Sequence, residues 1–271
     1  MFTEFWLPLL VKALATASLV VAASVLSERL GPIWGALITS LPISVGPAYV
    51  FLALKHDNGF VAASALSSCA ANGATGLFLI TYGLRAAKAP VWNSLGLAIG
   101  IWFTASLAIQ AVDWTPLTAS AMNIAVYGAG FVLLPSDRTA TARKSQLRKG
   151  RWFELPLRAI AVAAFVVTVV LASSALGSKA TGIATVFPLS FTCLLAILRA
   201  RLGGSATALL ASTALRSMLG FGAALLVLHL TIQPLGAAAG LSLALMVSVC
   251  WSAGLLVQRA QAGARRRPME V

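Results

Sequence analysis

The sequence predicts an all-α integral membrane protein, with nine transmembrane helices arranged as two inverted four-helix repeats joined by one extra helix. Three observations carry that prediction. Hydrophobic residues fill 59% of the 271 positions and charged ones 10%, an imbalance that a water-soluble domain of this length could not cover with polar surface. The apolar residues fall into nine runs, each near the ~20 residues a helix needs to cross the hydrocarbon core. Part of the chain also matches itself at a constant offset.

In chain order the runs are 5 to 27, 33 to 54, 60 to 83, 90 to 112, 114 to 134, 156 to 176, 180 to 199, 205 to 229 and 232 to 257. The leader of the first run holds Glu4 and no base where a signal peptide needs positive charge, so the run is expected to be a retained helix. Only Asp113 and its neighbours Trp114, Thr115 and Pro116 separate the fourth run from the fifth. Thr231, Ile232, Gln233 and Pro234 separate the last two.

If nine helices alternate, sixteen Lys and Arg residues fall on one side, and Lys12, Lys55 and Lys179 on the other. The positive-inside rule then places the N-terminus outside and the C-terminus in the cytoplasm, in a multi-pass protein of the bacterial cytoplasmic (inner) membrane. The longest polar stretch, residues 135 to 155, is a basic cytoplasmic loop expected to lie against anionic lipid. A basic cytoplasmic tail spans residues 258 to 271. The net charge of +13 therefore sits in connectors instead of forming one surface field, which argues against nucleic acid as a partner.

Sliding the chain by 146 residues aligns Lys12 through Ser44 with Arg158 through Ser190 without a gap, with identities at Gly31 and Gly177, Thr39 and Thr185, Pro42 and Pro188, and Ser44 and Ser190. The same offset later pairs Ser106 with Ser252, after one residue of slippage at Gly59 and Gly204. Residues 1 to 112 thus form the first four-helix repeat and 156 to 257 the second, with 113 to 134 an unpaired helix. An odd helix between tandem copies turns the second one over, as in many transporters.

The repeated motif is Thr39-Ser40-Leu41-Pro42-Ile43-Ser44 against Thr185-Val186-Phe187-Pro188-Leu189-Ser190, near the middle of the second helix of each unit. Proline there releases the carbonyl four residues earlier, at Ile38 and Ala184. Thr39, Ser44, Thr185 and Ser190 could satisfy it within a packed kink. The sharper expectation is that the helices are interrupted and that both motifs line a midplane site, the first copy being the more easily broken because Gly46 and Pro47 follow.

Arg216 lies deep in the eighth run, where a central Arg costs roughly 2.5 to 3.5 kcal/mol on insertion scales. All seven acids lie in loops or at helix ends, so no carboxylate shares its depth. It either bonds freed carbonyls and hydroxyls such as Ser67, Ser68, Ser212 or Thr213, or supplies the countercharge for an anion. Asn72, near the matching depth of the third run, offers a neutral amide as the other wall. Lys12 and Arg158 align across the repeat and form either helix-end anchors or electropositive vestibules. His56 and His229 sit at outer ends.

The absence of an intramembrane Asp or Glu disfavours cation exchange and carboxylate-driven proton coupling. No metal-binding set, nucleophile triad or Gly-rich phosphate loop is readable, so neither an enzyme nor a cofactor is expected. Cys69, Cys193 and Cys250 read as small buried hydrophobes.

An early Lys in the first helix, Leu30-Gly31, Thr39-Ser40-Leu41-Pro42 and a Gly59 opening the third helix together resemble the small four-helix GlpM-like bacterial membrane proteins. The resemblance covers about the first hundred residues and implies a fused double version of that unit; it carries over no binding residue. The function expected from the sequence is alternating-access transport of a small anionic solute. The alternatives are an anion channel with the same site as its filter, and a non-transporting protein that organises lipid or a partner enzyme. A homodimer stays open.

Overall fold

The computed structural model describes residues 45–134 and 154–264, with Val11, Leu14 and Ser18 besides. Every regular element among them is an α-helix: α1 (Val45–Lys55), α2 (Asn58–Ala86), α3 (Val91–Gln110), α4 (Pro116–Leu133), α5 (Glu154–Thr185) and α6 (Leu189–Ala264). Five helical stretches among the described residues are long and apolar enough to cross a membrane, and large apolar side chains such as Trp92, Leu107, Leu117 and Val132 face outward. In water such a surface would aggregate; in a bilayer it is the face toward lipid. The first run, most of the second, the loop from 135 to 153 and the tail beyond 264 lie outside the described residues.

The expected runs six to nine appear as two long helices, α5 and α6, that glycines cut into arms. Gly177, Gly203 and Gly236 hold φ of 73°, 79° and 84°, a region that side chains with a Cβ avoid. A straight α6 would run to over 100 Å at 1.5 Å per residue, far beyond the ~30 Å hydrocarbon core. Each glycine instead folds the chain back on itself. Across Gly177, Thr181 Oγ1 donates to the Ser173 carbonyl at 3.4 Å. Across Gly236, a Cβ on Gly240 would meet the Ile232 Cα at 2.8 Å. Across Gly203, Leu195 and Ala211 line one cleft. The arms are therefore 154–176 and 178–185 in α5, and 189–202, 204–235 and 237–264 in α6.

Proline and a capping box start α4: Pro116 needs no N–H in the first turn, and the Thr115 and Thr118 side chains satisfy each other's backbone amides. The Asp57 carboxylate caps α2 by accepting from the Phe60 amide at 2.8 Å.

The centre of the bundle is α2. Arm 204–235 packs against it antiparallel, with contacts from His229 Nδ1 to the Ala62 carbonyl (2.9 Å), Cys69 Sγ to the Gly222 carbonyl (3.6 Å) and Asn72 Nδ2 to the Met218 carbonyl (3.0 Å). Arm 178–185 runs parallel to it, held by the Ser64 and Ser68 hydroxyls donating to the Ser178 (3.0 Å) and Gly182 (2.5 Å) carbonyls. Gly182 is required there, because any Cβ would overlap the Ser64 carbonyl. On a third side α4 lies parallel to α2, its Met122, Tyr127 and Leu134 fitted against Gly73, Gly76 and Gly83. Small residues let helices approach this closely where burial from water supplies no driving force.

The connectors gather at two ends. At one, Lys55 Nζ donates to the Val170 (2.6 Å) and Leu171 (3.1 Å) carbonyls, capping arm 154–176, and Lys179 pairs with Asp113 at 3.0 Å. Ser173 Oγ gives its proton to the Val170 carbonyl (2.7 Å), so the 2.6 Å bond between His56 Nε2 and Ser173 Oγ is donated by the imidazole. Partial burial and the neighbouring Lys55 charge hold the His56 pKa below its ordinary value, against a smaller opposing pull from Asp57. At the other end, Arg85 reaches Asn93 (3.2 Å) and Arg199 donates to the Ala89 carbonyl (2.8 Å).

Candidate functional site

The seventh run is interrupted in the second copy of the Pro motif. Helix α5 ends at Thr185, Val186 to Pro188 are non-helical, and α6 begins at Leu189. Pro188 has no N–H to offer, and its ring would collide with the carbonyl of Ala184 in a continuous helix. That carbonyl accepts from the Phe187 amide at 3.0 Å. The expectation that Thr185 satisfies it is corrected: Thr185 Oγ1 reaches back one turn to the Thr181 carbonyl at 2.7 Å, the ordinary bond of a helical threonine. Thr75 of α2 closes the break from outside, donating to the Val186 carbonyl at 3.2 Å while accepting from the Trp102 indole at 3.3 Å. The Phe187 ring packs against Trp102, Phe103 and Phe165 with centroids 5.0, 5.7 and 5.8 Å away.

The carbonyls of the break are thus largely taken by protein donors, and what the break presents is a helix start. The Leu189 amide donates to the Phe187 carbonyl at 2.7 Å; the Ser190 and Phe191 amides that follow precede any intrahelical acceptor and carry the positive end of the helix dipole. Ser190 and Phe191, half-buried, belong to this first turn, and Pro188, buried, receives the Thr192 amide and hydroxyl on its carbonyl, both at 2.8 Å.

The Gly203 reversal sets the depth of Arg216. Ser190 stands thirteen residues before Gly203 and Arg216 thirteen after, so the two lie at similar distances from the turn. Arg216 is half-buried, and its backbone carbonyl accepts from the Trp251 indole at 2.8 Å. Ser67 bonds the Ala63 carbonyl at 3.0 Å and Ser68 bonds Gly182 and Tyr49, while Arg216 and Ser212 each make interactions of their own.

Asn72 contacts the carbonyl of Met218, which is two residues from Arg216. Its amide also donates to Asn123 Oδ1 at 2.9 Å, and Asn123 Nδ2 donates to the Cys69 (2.7 Å) and Ala119 (2.8 Å) carbonyls. Tyr127 donates to the Asn72 carbonyl at 2.9 Å. All three side chains are buried, and Asn72 Oδ1 has no protein partner. This network ties α2, α4 and arm 204–235 together. Asn123 was overlooked in the sequence, although an amide in the fifth run is as costly to leave bare as Asn72.

Positions that the 146-residue offset makes equivalent differ in one respect that bears on access. In the first copy Tyr49 of α1 and Ser68 of α2 share a 2.6 Å hydrogen bond and both are buried. In the second copy Leu195 and Ala214 stand there, and they line an open cleft of about 200 Å³ between the three arms of α6. Neither residue can form the bond.

Thr39, Ser40, Pro42, Ser44 and Lys12 lie outside the described residues, as does the side chain of Arg158. Asn72 lies level with Met218, two residues from Arg216; Pro188 and Ser190 flank the start of arm 189–202; and Thr185 is the last helical residue before the break. No protein-family model, curated protein or solved structure matches the chain.

Proposed function

We propose that the protein is an alternating-access carrier for a small anionic solute, bound midway through the membrane where arm 189–202 begins opposite Arg216. The observation that carries this reading is the pairing of two positive groups at one depth: a helix start exposed by the break at Val186 to Pro188, and a guanidinium level with it. Interrupted helices that aim an N-terminus at an anionic group are a recurrent transporter device, and the planar guanidinium suits a carboxylate or similar anion.

The contact between Asn72 and Met218, 146 residues apart on antiparallel helices, supports two inverted four-helix units with α4 as the unpaired helix between them. It fits the 4+1+4 arrangement of nine crossings. The closed Tyr49 and Ser68 position against the open Leu195 and Ala214 position supports alternation, since inverted copies held in different conformations make one side shut while the other is accessible. The bases Arg85, Lys88 and Arg199 share one end, which we assign to the cytoplasm of a bacterial inner membrane. The closed side is then external.

Anion flux into proteoliposomes, with and without anion preloaded inside, tests the reading. Stimulation by the preloaded anion identifies a carrier, and flux indifferent to it identifies a channel. Arg216→Gln is expected to keep the folded state and lose at least about tenfold in flux, with Arg216→Lys intermediate. A fully active Arg216→Gln variant removes the anion site as placed.

A further inference from the structure

The cleft between the arms of α6 is lined at one end by Ser217 and Phe191, the chain neighbours of Arg216 and Ser190, and continues from there along apolar walls. Ser217, Ser252 and Phe191 line its deep end, at the level of Arg216 and of the first turn of arm 189–202, and Leu194, Leu210 and Ala211 line the rest. From Ser217 to Leu210 is about 10 Å along the helix. A cleft of about 200 Å³ is slightly larger than a leucine-lined cavity of ~150 Å³ that stays dry and accepts benzene. It has room for a compact apolar group and too little for a lipid's acyl chains.

From this we infer that the solute is an anion carrying a compact apolar group, an aromatic ring or a short alkyl chain, whose charge meets Arg216 and the helix start while its apolar part fills the cleft. This rests on the anion-carrier reading and narrows its substrate class. Chain adjacency fixes the orientation: Arg216 and the first turn of arm 189–202 adjoin Ser217 and Phe191 at one end of the cleft, and hydroxyls rather than charges line that end. An inorganic anion would leave the apolar walls unused. The cleft runs from Ser217 toward Leu210 and so toward the Gly203 turn, so the apolar group is recognised from the end where Arg199 lies.

Uptake by the full-length protein in proteoliposomes, with sulfonates that stay ionised, tests this. Benzenesulfonate is expected to exceed methanesulfonate by about tenfold or more in transport efficiency, the usual range for a filled apolar pocket. Ala214→Leu and Ala214→Phe, which fill the cleft stepwise, are expected to lower the ratio of the two efficiencies in that order; the milder variant serves if the larger one fails to fold. Equal efficiencies in the unaltered protein overturn the inference and leave the carrier reading standing. Flux of neither sulfonate, nor of chloride, overturns the carrier reading itself. Movement of a fluorescent phosphatidic acid between leaflets without sulfonate uptake assigns the cleft to lipid, and overturns the inference.

Discussion

Asn72 donates its side-chain amide to the backbone carbonyl of Met218, 3.0 Å away, and the two residues are separated by the offset at which Lys12 through Ser44 repeat. A twofold axis exchanging two halves of a protein must pass through any contact between equivalent residues. The antiparallel helices α2 and 204–235 meet along their length, and this contact is midway. In the carrier proposed above, such an axis would pass beside the anion site, where both halves could reach it.

Buried amides at such a crossing hold the helices in one register. Replacing Asn72 by Ala leaves Asn123 Oδ1 and the Met218 carbonyl without their donor, and replacing Asn123 by Ala frees the Cys69 carbonyl as well. The two changes should be coupled by about 1 kcal/mol, within the range for hydrogen bonds between membrane helices. A double-mutant cycle on unfolding in detergent measures this. Strict additivity would mean that the amides act independently.

The hairpin glycines should tolerate alanine poorly even though space is available. A Cβ at Gly177, Gly203 or Gly236 would meet nothing within 4 Å, so the whole cost is backbone strain, about 1–3 kcal/mol. Gly96, equally open but inside helix α3, provides the contrast: alanine there should be neutral or stabilising by roughly 0.5–1 kcal/mol. Thermal unfolding of Gly236→Ala and Gly96→Ala in the same detergent compares them. A Gly236→Ala variant as stable as the parent would show that the reversal does not depend on its positive φ.

Much of this fold was legible because the bilayer demands long apolar runs, and most run ends agree with the described helices to within a few residues; the last reversal lies at Gly236 and not at Thr231 to Pro234, which are helical. The interruption at Pro188 was readable from one residue's missing donor. Which groups would answer the freed carbonyls was not, since Thr75 and Trp102 come from other helices and nothing in the local sequence announces them. Arg216 and Asn72 stood out as polar groups in apolar surroundings. Their common depth with Ser190 depends on the tight reversal at Gly203, which a glycine among twenty-two does not advertise.

The connector between α1 and α2 should make stability depend on pH. The His56 pKa is held below its ordinary 6.5 by partial burial and by Lys55. Between the lowered value and 6.5 the unfolded chain binds more protons than the folded one, so stability is fully present above 6.5 and declines as pH falls through that window. His56→Gln should reduce the slope of the melting temperature against pH between about pH 5 and 7. Parallel slopes for the two proteins would place the pH dependence elsewhere.

Tyr49 and Ser68 offer the most direct handle on alternation. In the proposed carrier their 2.6 Å bond would close the side assigned as external, while Leu195 and Ala214, 146 residues on, line an open cleft. Tyr49→Phe removes the bond with little change in shape. A net loss of about 1 kcal/mol from the closed form moves the equilibrium about fivefold toward the externally open one. Ala65 of α2 is fully buried beside this pair, so Ala65→Cys, in a background without Cys69, Cys193 and Cys250, reports the opening. An impermeant thiol reagent added outside should label it about five times faster when Tyr49 is Phe. Addition of a transported anion inside the vesicles should change that rate as well, because a carrier redistributes its conformations with its solute and a static bundle does not. An unchanged labelling rate in both experiments would mean that Tyr49 and Ser68 pack the first unit without gating it.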